Sequence, residues 1–334
     1  MEEVISIIGA GSWGTTLGVI LAKKGLRVSL HSVFNKENLV MQKRRKNPFF
    51  LKGIAFPPTL SVVTSLREVL ENEFIVIAIP VKFIRKILRK IKKRSISFKG
   101  KFFISVAKGI EVGSLKTPSQ IIKEELGKVK VSVLSGPTIA KEVIKGVPTT
   151  CIIASEDRRV AKILQGIFTT PYFRVYTHSD VVGVELGGAL KNIIAIACGI
   201  ADGLGFGTNT KAALVTRGLV EIIRLGKKLG TSPSTFMGIG GLGDLVTTCF
   251  SPYSRNRFVG EQIGKGKSLK EVLSKMKMVA EGVETVRSAY QLSKKAGVEM
   301  PITREVFYVL YRNKPPLKAV KDLMERPLKS EKIS

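Results

Sequence analysis

Residues 4–14 read Val-Ile-Ser-Ile-Ile-Gly-Ala-Gly-Ser-Trp-Gly. An apolar run stops at Gly9, and Gly9, Gly11 and Gly14 complete the spacing G-x-G-x-x-G directly before the helical pattern at residues 17–21. Each glycine then has a physical reason. Gly9 permits a tight turn out of a strand, Gly11 lets the backbone approach a pyrophosphate, and Gly14 allows helix and strand to pack closely. The helix N-terminus beyond them offers N–H groups and a positive dipole to a phosphate. The stretch therefore predicts strand, dinucleotide-binding turn and helix.

Working outward, further apolar runs occur at residues 26–30, 74–79, 102–106, 129–134 and 149–154. They are continuous rather than alternating, as in strands buried on both faces of a parallel sheet. Between two of them Ile84, Ile87, Leu88 and Ile91 recur at i, i+3, i+4 and i+7, one face of a helix. The first part of the chain reads as a doubly wound α/β domain with a parallel sheet. After about Thr177 the strand signal fades. Residues 181–201 and 210–229 read as long helices, and breaks at Pro252, Pro301 and Pro315 separate further ones. The expected division is a dinucleotide-binding domain at 1–180 and an all-α substrate-binding domain at 181–334, in keeping with a length of 334 residues.

Composition narrows the function classes. With 44% hydrophobic and 24% charged residues the chain can build sizeable cores. Lys191, Asp202 and Lys82 interrupt the longest apolar runs, so no transmembrane segment is expected. The start, Met1-Glu2-Glu3, has no cationic region before its apolar run, and a cytoplasmic location is expected. Three dispersed cysteines (Cys151, Cys198, Cys249) and two histidines form no metal-ligand spacing, so reduced thiols and no metal site are expected. A formal net charge of +29 admits nucleic acid, an anionic surface or an anionic small-molecule site.

Several polar residues stand where an apolar scaffold would not place them idly. Ala107-Lys108-Gly109 and Leu134-Ser135-Gly136-Pro137-Thr138 each follow a predicted strand, at the carboxyl edge where ligands bind in such sheets. Lys191-Asn192 lies in a helix of otherwise small or apolar residues. Desolvation lowers a lysine's pKa, which suits it to exchange protons in a hydroxyl-to-ketone redox step. Gly241-Leu242-Gly243-Asp244 and Ser254-Arg255-Asn256 add a carboxylate, a hydroxyl, an amide and a guanidinium suited to a phosphate and hydroxyls. Ser254 also fits the cap of a helix. For the cofactor, the second strand is followed by Ser32-Val33-Phe34-Asn35-Lys36, with no carboxylate at the strand end; Glu37 lies further along. Ser32, Asn35 and Lys36 would tolerate a 2′-phosphate, giving a lean to NADPH over NADH.

Taken in order, Gly-Ala-Gly-Ser-Trp-Gly-Thr at 9–15, Ala-Lys-Gly-Ile-Glu at 107–111, Leu-Ser-Gly-Pro-Thr at 134–138, Gly-Gly-Ala-Leu-Lys-Asn at 187–192, Gly-Leu-Gly-Asp-Leu at 241–245, Ser-Arg-Asn at 254–256 and Glu-Gly at 281–282 resemble the motifs of bacterial NAD(P)-dependent glycerol-3-phosphate dehydrogenases. The resemblance implies a Rossmann-like N-terminal domain, a helical C-terminal domain, and interconversion of dihydroxyacetone phosphate and sn-glycerol 3-phosphate for glycerophospholipid synthesis. It implies Lys191 as the proton donor and acceptor. Lys108, Gly136, Thr138, Asn192, Asp244, Ser254, Arg255 and Asn256 would surround the substrate. Gly9, Gly11, Ser12, Trp13, Gly14, Lys108, Ala140, Arg255, Val279 and Glu281 would hold NADPH or NADH. His31 and Val33 depart from the pattern, which commonly has an aromatic and a basic residue there. The resemblance leaves a homodimer open and implies no specific nucleic-acid partner.

Two other readings are open to the sequence. A related dehydrogenase on this architecture would act on a β-hydroxyacid or keto acid. A non-catalytic basic protein binding nucleic acid or lipid would use Lys43-Arg44-Arg45-Lys46 and the run from Arg85 to Arg94. The latter cations lie opposite the Ile84–Ile91 stripe, as on a solvated helix face, and lack interleaved aromatics for base stacking.

Overall fold

Strand β1 (Val4–Ile8) sits in the interior of a sheet because it is apolar on both sides: Ile5 and Ile7 enter one core cluster and Ile8 the other. The computed structural model describes residues 4–93, 97–276 and 278–331, which leaves Met1, Glu2, Glu3 and Arg94 outside the described residues. The other strands are β2 (Arg27–His31), β3 (Lys46–Asn47), β4 (Leu51–Ala55), β5 (Leu60–Val62), β6 (Phe74–Ile77), β7 (Phe102–Ser105), β8 (Lys130–Ser135), β9 (Thr149–Ser155) and β10 (Phe173–His178). Among the described residues the main sheet has eight strands in the order β10-β9-β8-β7-β6-β1-β2-β5, and β3 and β4 form a separate hairpin. β1 pairs in parallel with both β2 and β6, so the chain reverses its direction of travel across the sheet beside the glycine turn. Such a switch point opens a crevice at the strands' carboxyl ends.

The helices of this part are α1 (Ser12–Lys23), α2 (Asn35–Arg44), α3 (Leu66–Val69), α4 (Val81–Lys92), α5 (Pro118–Leu126), α6 (Ala140–Val143) and α7 (Arg158–Phe168). α1 and α7 cover one face of the sheet with Leu17, Ile20, Leu21, Leu164 and Phe168. α4 and α5 cover the other with Ile84, Leu88, Ile91, Ile121 and Ile122. The Ile84–Ile91 stripe is thus the buried side of α4, each full burial stabilising by about 1.5–3 kcal/mol, and Lys86, Arg89, Lys90 and Lys92 form the solvated side, while Arg85 turns to pair with Glu124 and Glu125.

The sheet departs from the expected all-parallel form in one place: β9 runs antiparallel to β8, and β10 runs parallel to β9. The connection after β8 turns at Gly136 (φ +126°) and contains only the single turn of α6, not a helix that spans the sheet. α7, by contrast, supplies the crossover from β9 to β10. β5 is three residues long, and β10 alternates buried and exposed positions before it fades at the sheet edge; neither makes a continuous apolar run.

The helical part comprises α8 (Val181–Gly203), α9 (Thr208–Lys228), α10 (Pro233–Met237), a π-helical turn (Ile239–Gly243), α11 (Asp244–Phe250), α12 (Arg255–Gly264), α13 (Leu269–Ser274), α14 (Glu281–Ala296), α15 (Pro301–Tyr311) and α16 (Pro316–Met324). α8 is long and apolar enough to cross a membrane, but 94% of its most apolar window is buried, and Leu190, Ile193 and Ile194 join the core of this helical part. Its backbone touches that of α12: a Cβ on Gly199 would lie 2.0 Å from the Arg257 carbonyl oxygen, and one on Gly260 2.0 Å from that of Ile196. Asp202 fastens the same crossing, accepting from Arg257 Nε at 2.6 Å and pairing with Lys211 Nζ at 2.9 Å. These contacts fix where α12 begins relative to Lys191 and Asn192.

By compactness the chain forms two units, Met1–Ala107 with Pro118–Val181, and Lys108–Thr117 with Val182–Ser334. The excursion Lys108–Thr117 goes with the helices because Ile110 joins their core and its carbonyl accepts from Ser288 Oγ at 2.9 Å.

Candidate active site

In the sheet-containing unit the glycine turn is built from backbone contacts. Gly9 has φ +118°, and a Cβ there would lie 2.3 Å from the Ala78 carbonyl oxygen. A Cβ on Gly14 would lie 1.9 Å from the Gly9 carbonyl oxygen, so both are excluded sterically. Gly11 differs: nothing lies within 4 Å of the position its Cβ would take. Gly11 is the N-cap of α1, without a side-chain cap and with no acidic residue in the first turn. An open cradle over an uncapped helix N-terminus suits a pyrophosphate, so this turn fits a dinucleotide. Ser12 donates to the Phe50 carbonyl at 3.0 Å, and the Trp13 ring packs 6.1 Å from that of Phe173. Ala140 opens α6, which touches α1, and Thr138 Oγ1 donates to the Gly136 carbonyl at 3.1 Å.

The helical unit holds a second cluster. Lys191 is 5% exposed on α8, and its Nζ donates to Asp244 Oδ1 at 2.5 Å and to Thr248 Oγ1 at 2.5 Å. Asp244, itself 1% exposed, takes Lys108 Nζ on its other oxygen at 2.7 Å. One buried carboxylate therefore serves two lysines. Asp244 and Thr248 share a face of α11 at i and i+4, and the Thr248 hydroxyl donates back to the Asp244 carbonyl at 2.7 Å. α11 can start so close to α8 because glycines precede it; a Cβ on Gly187 would lie 2.9 Å from the Gly240 carbonyl oxygen. Burial pushes the Lys191 pKa down from 10.5 to about 8; the Asp244 carboxylate opposes that shift and the neighbouring Lys108 charge adds to it. A lysine so placed can exchange a proton near neutrality.

A chain of amides locks the cluster in place. Asn192 Nδ2 donates to the Lys108 carbonyl at 3.1 Å, Asn256 Nδ2 donates to Asn192 Oδ1 at 2.8 Å, and Gly282 N donates to Asn256 Oδ1 at 3.0 Å. Lys108 N donates to Glu281 Oε2 at 3.3 Å. Ser254 caps α12 by accepting from Arg257 N at 3.2 Å, and Arg255 donates to the Val279 carbonyl at 2.6 Å. Lys108, Lys191, Asn192, Asp244, Ser254, Arg255, Asn256, Val279 and Glu281 are thus gathered within the helical unit, and the glycine-turn residues, Gly136, Thr138 and Ala140 within the other. Thr248 was missed from sequence; a hydroxyl four residues after Asp244 on one helix face was its only signal.

Comparison with known proteins bears on these geometries directly. Residues 4–161 match the model of the NAD-dependent glycerol-3-phosphate dehydrogenase N-terminus, and residues 180–321 that of the C-terminus. The chain belongs to the NAD-dependent glycerol-3-phosphate dehydrogenase family. A glycerol-3-phosphate dehydrogenase [NAD(P)+] of Citrifermentans bemidjiense is 49% identical over 339 residues, covering 100% of both chains. That of Geobacter sulfurreducens is 48% identical over 99% of this chain and 100% of its own. The crystal structure of the glycerol-3-phosphate dehydrogenase from Coxiella burnetii superposes with a TM-score of 0.93 at 37% identity, covering 97% of this chain and 99% of that one. The enzyme from Saccharomyces cerevisiae gives 0.83 at 29% identity over 98% and 100%. The eight-stranded, mostly parallel sheet followed by helices is therefore the fold of the glycerol-3-phosphate dehydrogenases.

Proposed function

We propose that this chain interconverts dihydroxyacetone phosphate and sn-glycerol 3-phosphate with NADH or NADPH, the reductive direction supplying glycerol 3-phosphate for glycerophospholipid synthesis. The observation that carries this reading is the buried Lys191, held by Asp244 and Thr248 with Lys108 alongside, in a chain about half identical to proteins so named.

When bound, the nicotinamide supplies the hydride. The chain's own residues do the rest. In reduction the Lys191 ammonium gives a proton to the oxygen developing on substrate C2; in oxidation its neutral amine takes that proton. Asp244 and Thr248 aim Nζ and favour its charged form, while Lys108 adds positive charge for the substrate's phosphate. Arg255, at the start of α12, offers a guanidinium to a phosphate, and Gly136 and Thr138 are proposed substrate contacts. Asn192 and Asn256, whose amides are engaged with each other, hold the Lys108 backbone in register as well as bordering the substrate. Gly9, Gly11, Ser12, Trp13, Gly14 and Ala140 are proposed to hold the cofactor, as are Lys108, Arg255, Val279 and Glu281.

A cytoplasmic location and a homodimer belong to the same proposal. The long apolar helix α8 has its use as a core. The helical unit also carries an apolar groove of about 650 Å³ lined by Val306, Val320 and Leu323, with Met324 79% exposed beside it, a surface suited to a second copy. Light scattering on the purified chain tests the dimer. The central test follows NADH and NADPH absorbance separately with dihydroxyacetone phosphate. Oxidation of at least one cofactor is expected, and Lys191→Ala should lower turnover by on the order of 10²–10⁴-fold with modest change in cofactor affinity. Oxidation of neither refutes the reading.

A further inference from the structure

β2 ends one hydrogen bond from the glycine turn, with Gly9 N donating to the His31 carbonyl at 2.8 Å. The chain then passes through Ser32, Val33 and Phe34 into α2. Glu37, in the first turn of α2, folds back so that the Ser32 hydroxyl donates to its Oε2 at 2.5 Å. Asn38 secures this bend: Ser32 N donates to Asn38 Oδ1 at 2.7 Å and Asn38 Nδ2 to the Ser32 carbonyl at 2.8 Å. A carboxylate six residues past the strand in sequence is thereby brought in space to the first residue beyond it.

A glutamate at this helical position commonly caps its own helix by accepting the N–H of the N-cap residue. Here that N–H, from Phe34, goes to Ser32 Oγ at 3.2 Å. Glu37 Oε1 makes no hydrogen bond to the described residues, and the side chain is half-exposed. Between His31 and Asn38 the one lysine or arginine is Lys36. The Ser32 hydroxyl has spent its proton on Glu37, and Val33 is apolar. His31 is buried and donates Nδ1–H to the Val63 carbonyl at 2.9 Å, and that burial lowers its pKa, disfavouring its charged form. Lys36 is the nearest cation in sequence and is exposed on α2.

In doubly wound sheets the adenosine ribose lies at the end of the second strand, where an acidic side chain bonds its 2′-hydroxyl. We propose that Glu37 is the residue that discriminates between cofactors, accepting from the ribose 2′-hydroxyl of NADH and repelling the 2′-phosphate of NADPH. This rests on the reading of the glycine turn as a dinucleotide site, and it sets the preference towards NADH, opposite to the lean drawn from the residue pattern alone. The strand-end acid is present, delivered by a helix and fixed through Ser32.

The test is equilibrium binding of NADH and of NADPH to the intact enzyme without substrate, by calorimetry and by the fluorescence of Trp13, the single tryptophan. Wild type should bind NADH about tenfold or more tightly than NADPH, since a second anion beside the carboxylate is repelled. Glu37→Gln should weaken NADH and tighten NADPH, and Glu37→Arg should invert the preference. Opposite movement of the two affinities cannot come from a partly unfolded variant, which would weaken both. Wild type favouring NADPH, or a Glu37→Gln protein in which both affinities move together or neither moves, overturns the proposal. Binding of neither cofactor to wild type overturns the dinucleotide reading and this proposal with it.

Discussion

Replacing Asp244 by Asn keeps the shape of the side chain and removes the one negative charge that Lys108 and Lys191 share. Both ammonium groups lie within hydrogen-bond distance of it, at 2.7 and 2.5 Å. Lys191 sits at about 8 because burial pushes it down while Asp244 holds it up; without that carboxylate, burial and the Lys108 charge act unopposed by it. An opposite charge this close is worth about 1–3 pKa units, so Lys191 in Asp244→Asn should fall to roughly 5–7. The sign of the kinetic effect follows. Oxidation needs the neutral amine, so its kcat/KM should rise with pH to a plateau above about 8 in wild type and with a midpoint roughly 1–3 units lower in the variant. Reduction needs the ammonium: a pKa near 6 leaves about 3% of Lys191 charged at pH 7.5, a loss on the order of 20-fold against wild type before any effect on substrate affinity. Initial rates in both directions from roughly pH 6 to 10, with circular dichroism to confirm folding, provide the assay. A variant midpoint that stays near 8, or rises, would refute the claim that the Asp244 charge sustains the Lys191 ammonium.

The two kinds of glycine in the turn should separate cleanly. Gly11→Ala, with open space around its Cβ, should leave the melting temperature unchanged and weaken cofactor binding by roughly tenfold or more, whereas Gly14→Ala, 1.9 Å from a carbonyl oxygen, should lower stability or soluble yield; equal melting temperatures for the two would count against the close helix–strand contact. Thr248→Val should lower kcat by about tenfold with cofactor KM unchanged, and Thr248→Ser should restore it, because the hydroxyl is the part of Thr248 that accepts from Lys191 Nζ; a fully active Val variant would remove Thr248 from the site. Glu221 tests linkage away from the chemistry: burial raises its carboxyl from 4.5 to about 7 against the pull of Ile302 N, Thr303 N and Thr303 Oγ1. Its folded pKa exceeds the unfolded one, so its contribution is full below about 4.5 and is lost as pH rises through 7. Relative to wild type, Glu221→Gln should gain up to about 3 kcal/mol in urea unfolding between pH 4.5 and 8, and parallel pH slopes would argue that Glu221 is not held protonated.

What could be seen in the sequence divides by the range over which its physics acts. The glycine turn was legible because its demands are local: Gly9 must take φ +118°, and Gly14 must clear a carbonyl five residues back. The stripe Ile84–Ile91 and the cap Ser254 are equally local, and both stand as read. Strand direction is not local. The run at 149–154 is apolar whichever way it lies, and only the single helical turn in the connection before it forces the antiparallel pairing of β9 with β8.

The candidate site shows the same division more sharply. Lys191 stands out in any apolar helix, yet its partner lies 53 residues away and Thr248 looks like any helical threonine until α11 is laid against α8. Glu37 lies six residues past β2 in the sequence, and only the bend into α2 brings its carboxylate to Ser32. A cut at a single point near residue 180 likewise has no means of sending Lys108–Thr117 to the helices, because that assignment depends on Ile110 meeting Ser288. In each case the sequence offers a residue with the right chemistry, and the pairing that gives it a role is decided by packing between elements far apart. Asp244 carries this furthest: neither lysine motif read alone asks for a carboxylate, and only their convergence on its two oxygens explains why an acid belongs there.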